Sequence, residues 1–189
     1  SGGNLSKVDE TIIDAYSGNF ERIFGGTHGV KTAADGDLNA SYDCVKTKIN
    51  FYSGMDKGDM DIFGAGANSG ATDRAIIDLY GGKVNEVHGG AFTEGYTANT
   101  EINVLNGSAI QARAIYGGGY GEDEARPCDV GTSNIRYAST DARVIEGIYG
   151  GNHNARATMQ TNVTISVPVK NPEEDFQSVY GAGYGAATV

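Results

Sequence analysis

Short stretches in which apolar and polar residues alternate recur along this chain. Such alternation is typical of a β-strand, because successive side chains of a strand point to opposite faces of its sheet. Six of these stretches can be aligned on one β-branched position. The aligned residues are Ile13, Ile49, Ile77, Ile102, Ile135 and Val163. The pattern therefore predicts six strands whose apolar residues lie in one column.

A second pattern follows each of these strands: a β-branched residue, a ring-bearing residue, and then Gly-Gly or Gly-Ala. It begins at Ile23, Ile62, Val87, Ile115, Ile148 and Val179. Three of the five intervals from this pattern to the next strand are 15 residues, and the other two are 26 and 20 residues. Repetition of this kind indicates a repeat architecture, in which each unit buries its apolar face by stacking on its neighbours.

These patterns predict an all-β, single-domain parallel β-helix of about six turns. The domain covers residues 1–189, its turns begin near residues 12, 48, 76, 101, 134 and 162, and loop insertions lie at 30–44 and 121–133. A right-handed coil is favoured, because right-handed crossovers dominate parallel connections. The alternative is a β-sandwich, which also has short glycine-bounded strands but is not expected to repeat one pattern six times in register.

The glycine pairs are interpreted as corners between the faces of the coil. Such corners need a positive φ or a close approach of two backbones, and glycine supplies both without a steric penalty. Glycine is abundant, at 29 of 189 residues, but there is no Gly-X-Y period and only three prolines are present. A collagen-like chain is therefore excluded.

The charge of the chain restricts its partners. A net charge of −10 and a pI near 4.6 would repel nucleic acid and an anionic membrane surface. The sequence also has no apolar run of about 18 residues, the length needed to span a bilayer as a helix. Neither a cofactor nor a metal ion is predicted.

Ring-bearing residues fall into three columns when the repeats are aligned. The first contains Phe24, Phe63, His88, Tyr116, Tyr149 and Tyr180; the second contains His28, Phe92, Tyr120, His153 and Tyr184, with Ala67 as its one exception; the third contains Tyr16, Tyr52 and Tyr80. Equivalent rings in stacked turns would lie about 4.8 Å apart, which suits offset stacking. All three histidines occupy ring columns, so we interpret them as ring substitutes.

The same columns admit a functional interpretation, in which an exposed row of rings binds a sugar or a protein partner. The candidate binding residues are Phe24, Phe63, Tyr116, Tyr149, Tyr180, Phe92, Tyr120 and Tyr184. The competing interpretation is that the rings only hold the turns in register.

Charged residues offer two further candidate sites. Asp56, Asp59 and Asp61 could together bind Ca²⁺ through hard oxygen ligands, although a solvated acidic loop explains them as well. Arg136, Glu146 and Arg113 lie in the part of the sequence where an acid and a base could meet, so they form the candidate catalytic cluster.

The two cysteines, Cys44 and Cys128, are predicted to lie in the two inserted loops. Three turns separate them, roughly 14 Å along the axis, whereas a disulfide requires Cα atoms within about 7 Å. A disulfide would form only if the two loops leaned together, and otherwise both residues are thiols.

From about Ile12 to Tyr184 the repeat resembles the Gly-rich parallel β-helix domains of bacterial surface and secreted proteins, which share the wider pectate-lyase-like architecture. The resemblance implies an extracellular or cell-surface, adhesin-like module that binds a glycan or a protein, or a structural module. The alternative is a polysaccharide lyase or glycoside hydrolase. The exposed strand edges of such a fold also suggest end-to-end self-association, or a chain taken from a longer protein.

Overall fold

A computed structural model describes residues 8–28, 44–54, 58–67, 71–121, 128–154, 158–167 and 178–185. The described residues contain twelve β-strands, which alternate along the chain between two sheets. The first sheet holds β1 (Val8–Ser17), β3 (Cys44–Gly54), β5 (Ala71–Leu79), β7 (Gly95–Val104), β9 (Cys128–Tyr137) and β11 (Thr158–Ile165). The second holds β2 (Arg22–Phe24), β4 (Asp61–Phe63), β6 (Lys83–His88), β8 (Gln111–Tyr116), β10 (Arg143–Tyr149) and β12 (Val179–Tyr180).

Both sheets are parallel and follow the order of the chain. The first runs β1-β3-β5-β7-β9-β11, and the second runs β2-β4-β6-β8-β10-β12. Each repeat thus contributes one long strand to the first sheet and one short strand to the second. Every pairing between the described strands is parallel, which excludes the antiparallel β-sandwich.

The register of both sheets agrees with the alignment made from the sequence. In the first sheet, Ile49 pairs with Ile13 on one side and with Ile77 on the other. The column continues through Ile102, Ile135 and Val163. In the second sheet, the column from Ile23 to Val179 is likewise continuous. The six predicted repeats and their two apolar columns are therefore confirmed.

The long strands begin four to six residues earlier than predicted, at residues 8, 44, 71, 95, 128 and 158. Residues 128–133, which the sequence assigned to an inserted loop, belong to β9 instead. The prediction missed them because the first residues of these strands are mainly polar or small and lack the apolar column residue. The rest of both insertions, residues 30–43 and 122–127, lies outside the described residues.

The apolar columns of the two sheets meet in one core. A single cluster of buried side chains includes Ile49, Ile77 and Ile102 from the first sheet and Ile62 and Val87 from the second. All five are completely buried.

A column of hydroxyl groups also connects the two sheets. Two residues before the isoleucine column, each long strand except β5 carries Thr or Ser; the residues are Thr11, Thr47, Thr100, Ser133 and Thr161. Each hydroxyl donates a hydrogen bond to the carbonyl of the first glycine in the pair of its own repeat. For Thr47 and Gly64 the distance from Oγ1 to the carbonyl oxygen is 2.5 Å. The glycine carbonyl at each of these five corners gains a hydrogen-bond partner in this way.

The first glycine of each pair is needed for close approach. A Cβ atom at Gly25, Gly64, Gly89, Gly117 or Gly150 would overlap the carbonyl oxygen of the equivalent glycine in the next repeat. None of these glycines has a positive φ. Of the two alternatives predicted for the pairs, a positive φ or a close approach of two backbones, the structure shows close approach at these five positions.

Candidate functional site

The first ring column forms a continuous stack on the second sheet. We call Phe24, Phe63, His88, Tyr116, Tyr149 and Tyr180 the inner ring column. Successive centroids lie 4.8 to 5.2 Å apart, and the ring planes differ by at most 15°. The predicted spacing is therefore confirmed. His88 lies between Phe63 and Tyr116 as one member of this stack.

A second set of rings covers the inner ring column. We call Phe92, Tyr120, His153 and Tyr184 the outer ring column. Tyr120, His153 and Tyr184 are themselves stacked at 4.8 and 5.3 Å. Their planes stand nearly perpendicular to the inner rings, as between His88 and Tyr120 at 84°. Phe92 contacts both Phe24 and Phe63, so it covers the repeat whose outer position is Ala67.

This arrangement reduces the number of candidate binding rings. Phe63 and Tyr116 are buried, and Tyr149 is only 7% exposed, so these three side chains offer no surface to a ligand. Phe24, Phe92 and Tyr120 are partly exposed. Tyr180 and Tyr184 are exposed by 47% and 55%. The predicted sugar platform along the inner ring column is therefore wrong for its central members.

A buried charge network lies beside the inner ring column. Glu86 and His88 are two residues apart on β6, so their side chains lie on the same outer face of the strand. His88 Nε2 lies 3.0 Å from Glu86 Oε2, and Nε2–H donates because an ionised carboxylate only accepts. The other carboxylate oxygen of Glu86 accepts from the guanidinium of Arg113 on β8. Both Glu86 and His88 are buried.

The hydrogen-bonded and charged partners of Glu86 affect its pKa more than its burial does. Burial by itself raises the pKa of Glu86, but the hydrogen bond from His88 and the charge of Arg113 hold this pKa below its ordinary value. Arg113 also donates to Asn85 Oδ1 at 2.7 Å and to both oxygens of Glu146, at 3.0 and 3.1 Å. The carboxylate of Glu86 is thus fully engaged within the protein.

The structure brings together two of the three residues of the candidate catalytic cluster. Arg113 and Glu146 form an ion pair on the second sheet. Arg136 lies on β9 in the first sheet, where its guanidinium is 3.9 Å from Glu101. The predicted cluster of all three is therefore wrong. Sequence proximity misled the prediction, because consecutive strands of one repeat belong to different sheets.

The candidate metal ligands are used differently. Asp61 Oδ1 accepts hydrogen bonds from Asn85 Nδ2 at 2.8 Å and from the backbone N–H of Glu86 at 3.2 Å. Asp59 is exposed, and Asp56 lies outside the described residues. No group of three or more His, Cys, Asp or Glu in the described ranges is arranged to hold a metal ion. Asp61 instead links β4 to β6.

The two cysteines are buried thiols, and no disulfide joins them. They are the first residues of β3 and β9, and β5 and β7 lie between these strands. Cys44 Sγ donates to the carbonyl of Lys46 at 3.3 Å, and Cys128 Sγ donates to that of Phe92 at 3.2 Å. Their predicted location in the loops, and the conditional disulfide that depended on it, are wrong.

The third ring column is the accessible one. Tyr16, Tyr52 and Tyr80, which we call the tyrosine row, stack with centroids 4.3 and 4.6 Å apart. Tyr16 is 61% exposed and Tyr80 is 40% exposed. Tyr52, which lies between them, is partly exposed. Burial between its neighbours, followed by the interaction with Tyr16, raises the pKa of Tyr52 to about 12.

A row of polar residues adjoins the tyrosine row. Period-two alternation places Asp14 on the same outward face of β1 as Tyr16, and the aligned residues continue this row as Asn50, Asp78 and Asn103. Asn50 Nδ2 donates to Asp14 at 2.8 Å, and Asn103 Nδ2 donates to Asp78 at 2.8 Å. We call these four residues and the tyrosine row the first-sheet surface. The tyrosines were recognisable in the sequence as a ring column but not as a site. The available signal was their position on the same outward face as Asp14.

Ion pairs hold the rest of this face. Lys48 Nζ lies 2.9 Å from Asp78 Oδ2, and the hydrogen bond and charge of Asp78 raise the pKa of Lys48. Arg74 lies 2.8 Å from Glu101. Burial opposes ionisation of Glu101, but hydrogen bonds from Arg74 and Asn103 lower its pKa below the ordinary value. The face therefore presents a fixed pattern of carboxylates, amides and cations.

We expect acid to weaken the fold through His153 in the outer ring column. Burial lowers the pKa of this imidazole in the folded state. Below about pH 6.5 the unfolded chain therefore takes up a proton that the folded chain refuses, and stability falls with pH until the lowered folded-state pKa is reached. His153→Tyr, which copies Tyr120 and Tyr184, should reduce this slope. Urea unfolding at several pH values between 7 and 5 checks it, and an unchanged slope contradicts it.

Comparisons with known proteins do not identify this chain. No family model, no curated protein and no solved structure matches it. In the described part of the chain, no helix has the length and apolar character needed to cross a membrane.

Proposed function

We propose that this chain is a non-catalytic, extracellular or cell-surface binding module that adheres to a glycan. Its architecture would be a right-handed parallel β-helix, a coil in which each repeat contributes one strand to the first sheet and one strand to the second. Two parallel sheets with the same chain order and one shared core support this architecture. The dominance of right-handed crossovers favours its hand.

The first-sheet surface is the observation that carries the proposed function. Three stacked tyrosines lie beside a row of carboxylate and amide groups, in which Asp14 is exposed, Asn103 is partly exposed, and Asn50 and Asp78 are buried. Phenol, carboxylate and amide groups hydrogen-bond to sugar hydroxyls, and the outer face of Tyr16 offers an apolar ring for stacking on a sugar. The groups with catalytic potential, Glu86 and His88, are instead buried and paired with each other.

A glycan array followed by calorimetric titration tests this proposal. Tyr16→Ala and Tyr80→Ala should weaken binding of the selected glycan by about tenfold or more, since each exposed ring contributes about 1.4 kcal/mol or more in such a contact. Tyr184→Ala is the matched control, because it removes a similarly exposed ring from the outer ring column. A loss of binding caused by Tyr184→Ala alone would place the site on the outer ring column. If the protein bound no glycan but did bind a protein partner, the proposal that its ligand is a glycan would be refuted.

A further inference from the structure

The first glycine of the sixth repeat lacks the described neighbour that requires glycine in the other repeats. In the first five repeats a Cβ on the first glycine of the pair would overlap the backbone of the next repeat, so glycine is required there. The sixth repeat also carries glycine at this position, Gly181, yet a Cβ there would meet no described atom within 4 Å. The φ of Gly181 is not positive either. Gly181 thus meets the steric requirement for stacking, although no described repeat stacks on it.

Other stacking features continue to the same end. The first-glycine N–H of each earlier repeat donates to the carbonyl of the ring residue in the next repeat, as Gly150 does to Tyr180 at 2.8 Å. Tyr180 continues the inner ring column at 4.9 Å from Tyr149 and is 47% exposed. Thr161 continues the hydroxyl column. The edge formed by β11 and β12 therefore carries the same stacking residues as the interior repeats.

The opposite edge of this chain has the complementary form. β1 and β2 lie at the other end of the two sheets, and they carry the same residue classes in the same columns. Thr11 corresponds to Thr161, Ile13 to Val163, Ile23 to Val179, Phe24 to Tyr180, and Gly25 to Gly181. A second copy moved along the stack would place its β1 beside β11 and its β2 beside β12, both parallel and in register.

We propose that copies of this chain associate head to tail, with the sixth repeat of one copy stacked on the first repeat of the next. Gly181 N–H would then donate to the Phe24 carbonyl of the second copy. Tyr180 would stack on the Phe24 ring of that copy. Because the contact joins two different surfaces by translation, it is heterologous and extends into a filament.

Electrostatics sets how this association depends on salt. The described residues of the sixth repeat, 158–167 and 178–185, include no charged side chain, whereas the β1 edge carries Asp9, Glu10 and Asp14. The described parts of the two edges therefore do not repel each other directly. The net charge of −10 still opposes the approach of whole molecules, and this long-range repulsion is screened by salt. Association should strengthen with ionic strength.

Sedimentation velocity over a range of protein and salt concentrations tests this proposal. We expect a concentration-dependent series of oligomers that lengthens as NaCl is added. Gly181→Ala should reduce the association constant by about tenfold or more, because its methyl group meets the Gly25 carbonyl of the next copy, and should leave the melting temperature of the monomer unchanged. Gly58→Ala, at another glycine with no described atom near its Cβ, should leave association unchanged.

A mixing experiment separates head-to-tail association from a symmetric contact. Gly181→Ala blocks only one end, so a small fraction of this variant should add to the end of a wild-type oligomer and stop its growth, which shortens the average length. Wild-type protein that stays monomeric up to its solubility limit at every salt concentration would overturn the proposal. Oligomers that Gly181→Ala neither weakens nor shortens would overturn it as well.

Discussion

Gly117→Ala should destabilise the protein by about 3 kcal/mol, the upper range for overpacking. The added methyl group would overlap the carbonyl oxygen of Gly150 and would lie 2.7 Å from Ser133 Oγ. Relief requires the fourth and fifth repeats to separate, which would also strain the hydrogen bond of 2.8 Å from Gly117 N–H to the Tyr149 carbonyl. Chemical unfolding followed by circular dichroism measures the loss, and thermal unfolding should show a decrease of about 10 °C.

Gly58→Ala is the matched control for Gly117→Ala. No described atom lies within 4 Å of a Cβ at Gly58, and its φ is not positive. This variant should keep its free energy of unfolding within about 0.5 kcal/mol, as surface substitutions usually do. Equal stability of the two variants would show that the repeats do not approach each other as closely as described.

Glu86→Ala should cost about 1–3 kcal/mol, as leaving a buried hydrogen-bonding group without its partner does. The substitution leaves the buried His88 Nε2 without its acceptor and removes one of the two carboxylates that Arg113 binds. Glu146→Gln changes the other carboxylate of Arg113, but its side chain is 46% exposed, so it should cost less than about 1 kcal/mol. Urea unfolding at pH 7 compares the two variants.

A double variant tests whether pairing with His88 explains this effect. Glu86 aligns with Ala114 in the next repeat, and His88 aligns with Tyr116. Glu86→Ala combined with His88→Tyr therefore copies an arrangement that the fold already contains one repeat further on. We expect the double variant to recover most of the stability lost by Glu86→Ala. A double variant that is no more stable than Glu86→Ala would contradict the role given to the Glu86–His88 pair.

The columns could be predicted from sequence because stacking of parallel repeats brings equivalent residues together. Ile102 lies between Ile77 and Ile135 in the sheet for the same reason that it aligns with them in the sequence. The stacking of His88 between Phe63 and Tyr116 was predictable on the same grounds. A translational repeat converts an alignment directly into contacts.

Contacts between different columns could not be predicted from the alignment. The meeting of Glu86 with His88 and Arg113, and the cover that Tyr120 gives to His88, depend on side-chain direction and backbone path between strands. Thr100 was overlooked because its partner, the Gly117 carbonyl, lies on the other sheet. The prediction of a binding site on the inner rings was wrong for a related reason. The exposure of a ring column depends on the side chains that cover it, and the alignment does not show these.

The central claim is that the repeats stack in parallel and in register, and nuclear Overhauser contacts of labelled protein test it most directly. We expect inter-strand amide-to-Hα contacts typical of parallel strands around Ile77, Ile102 and Ile135, and again around Ile62, Val87 and Ile115. Close Hα-to-Hα contacts typical of antiparallel strands, or contacts that link these residues in a shifted register, would contradict it.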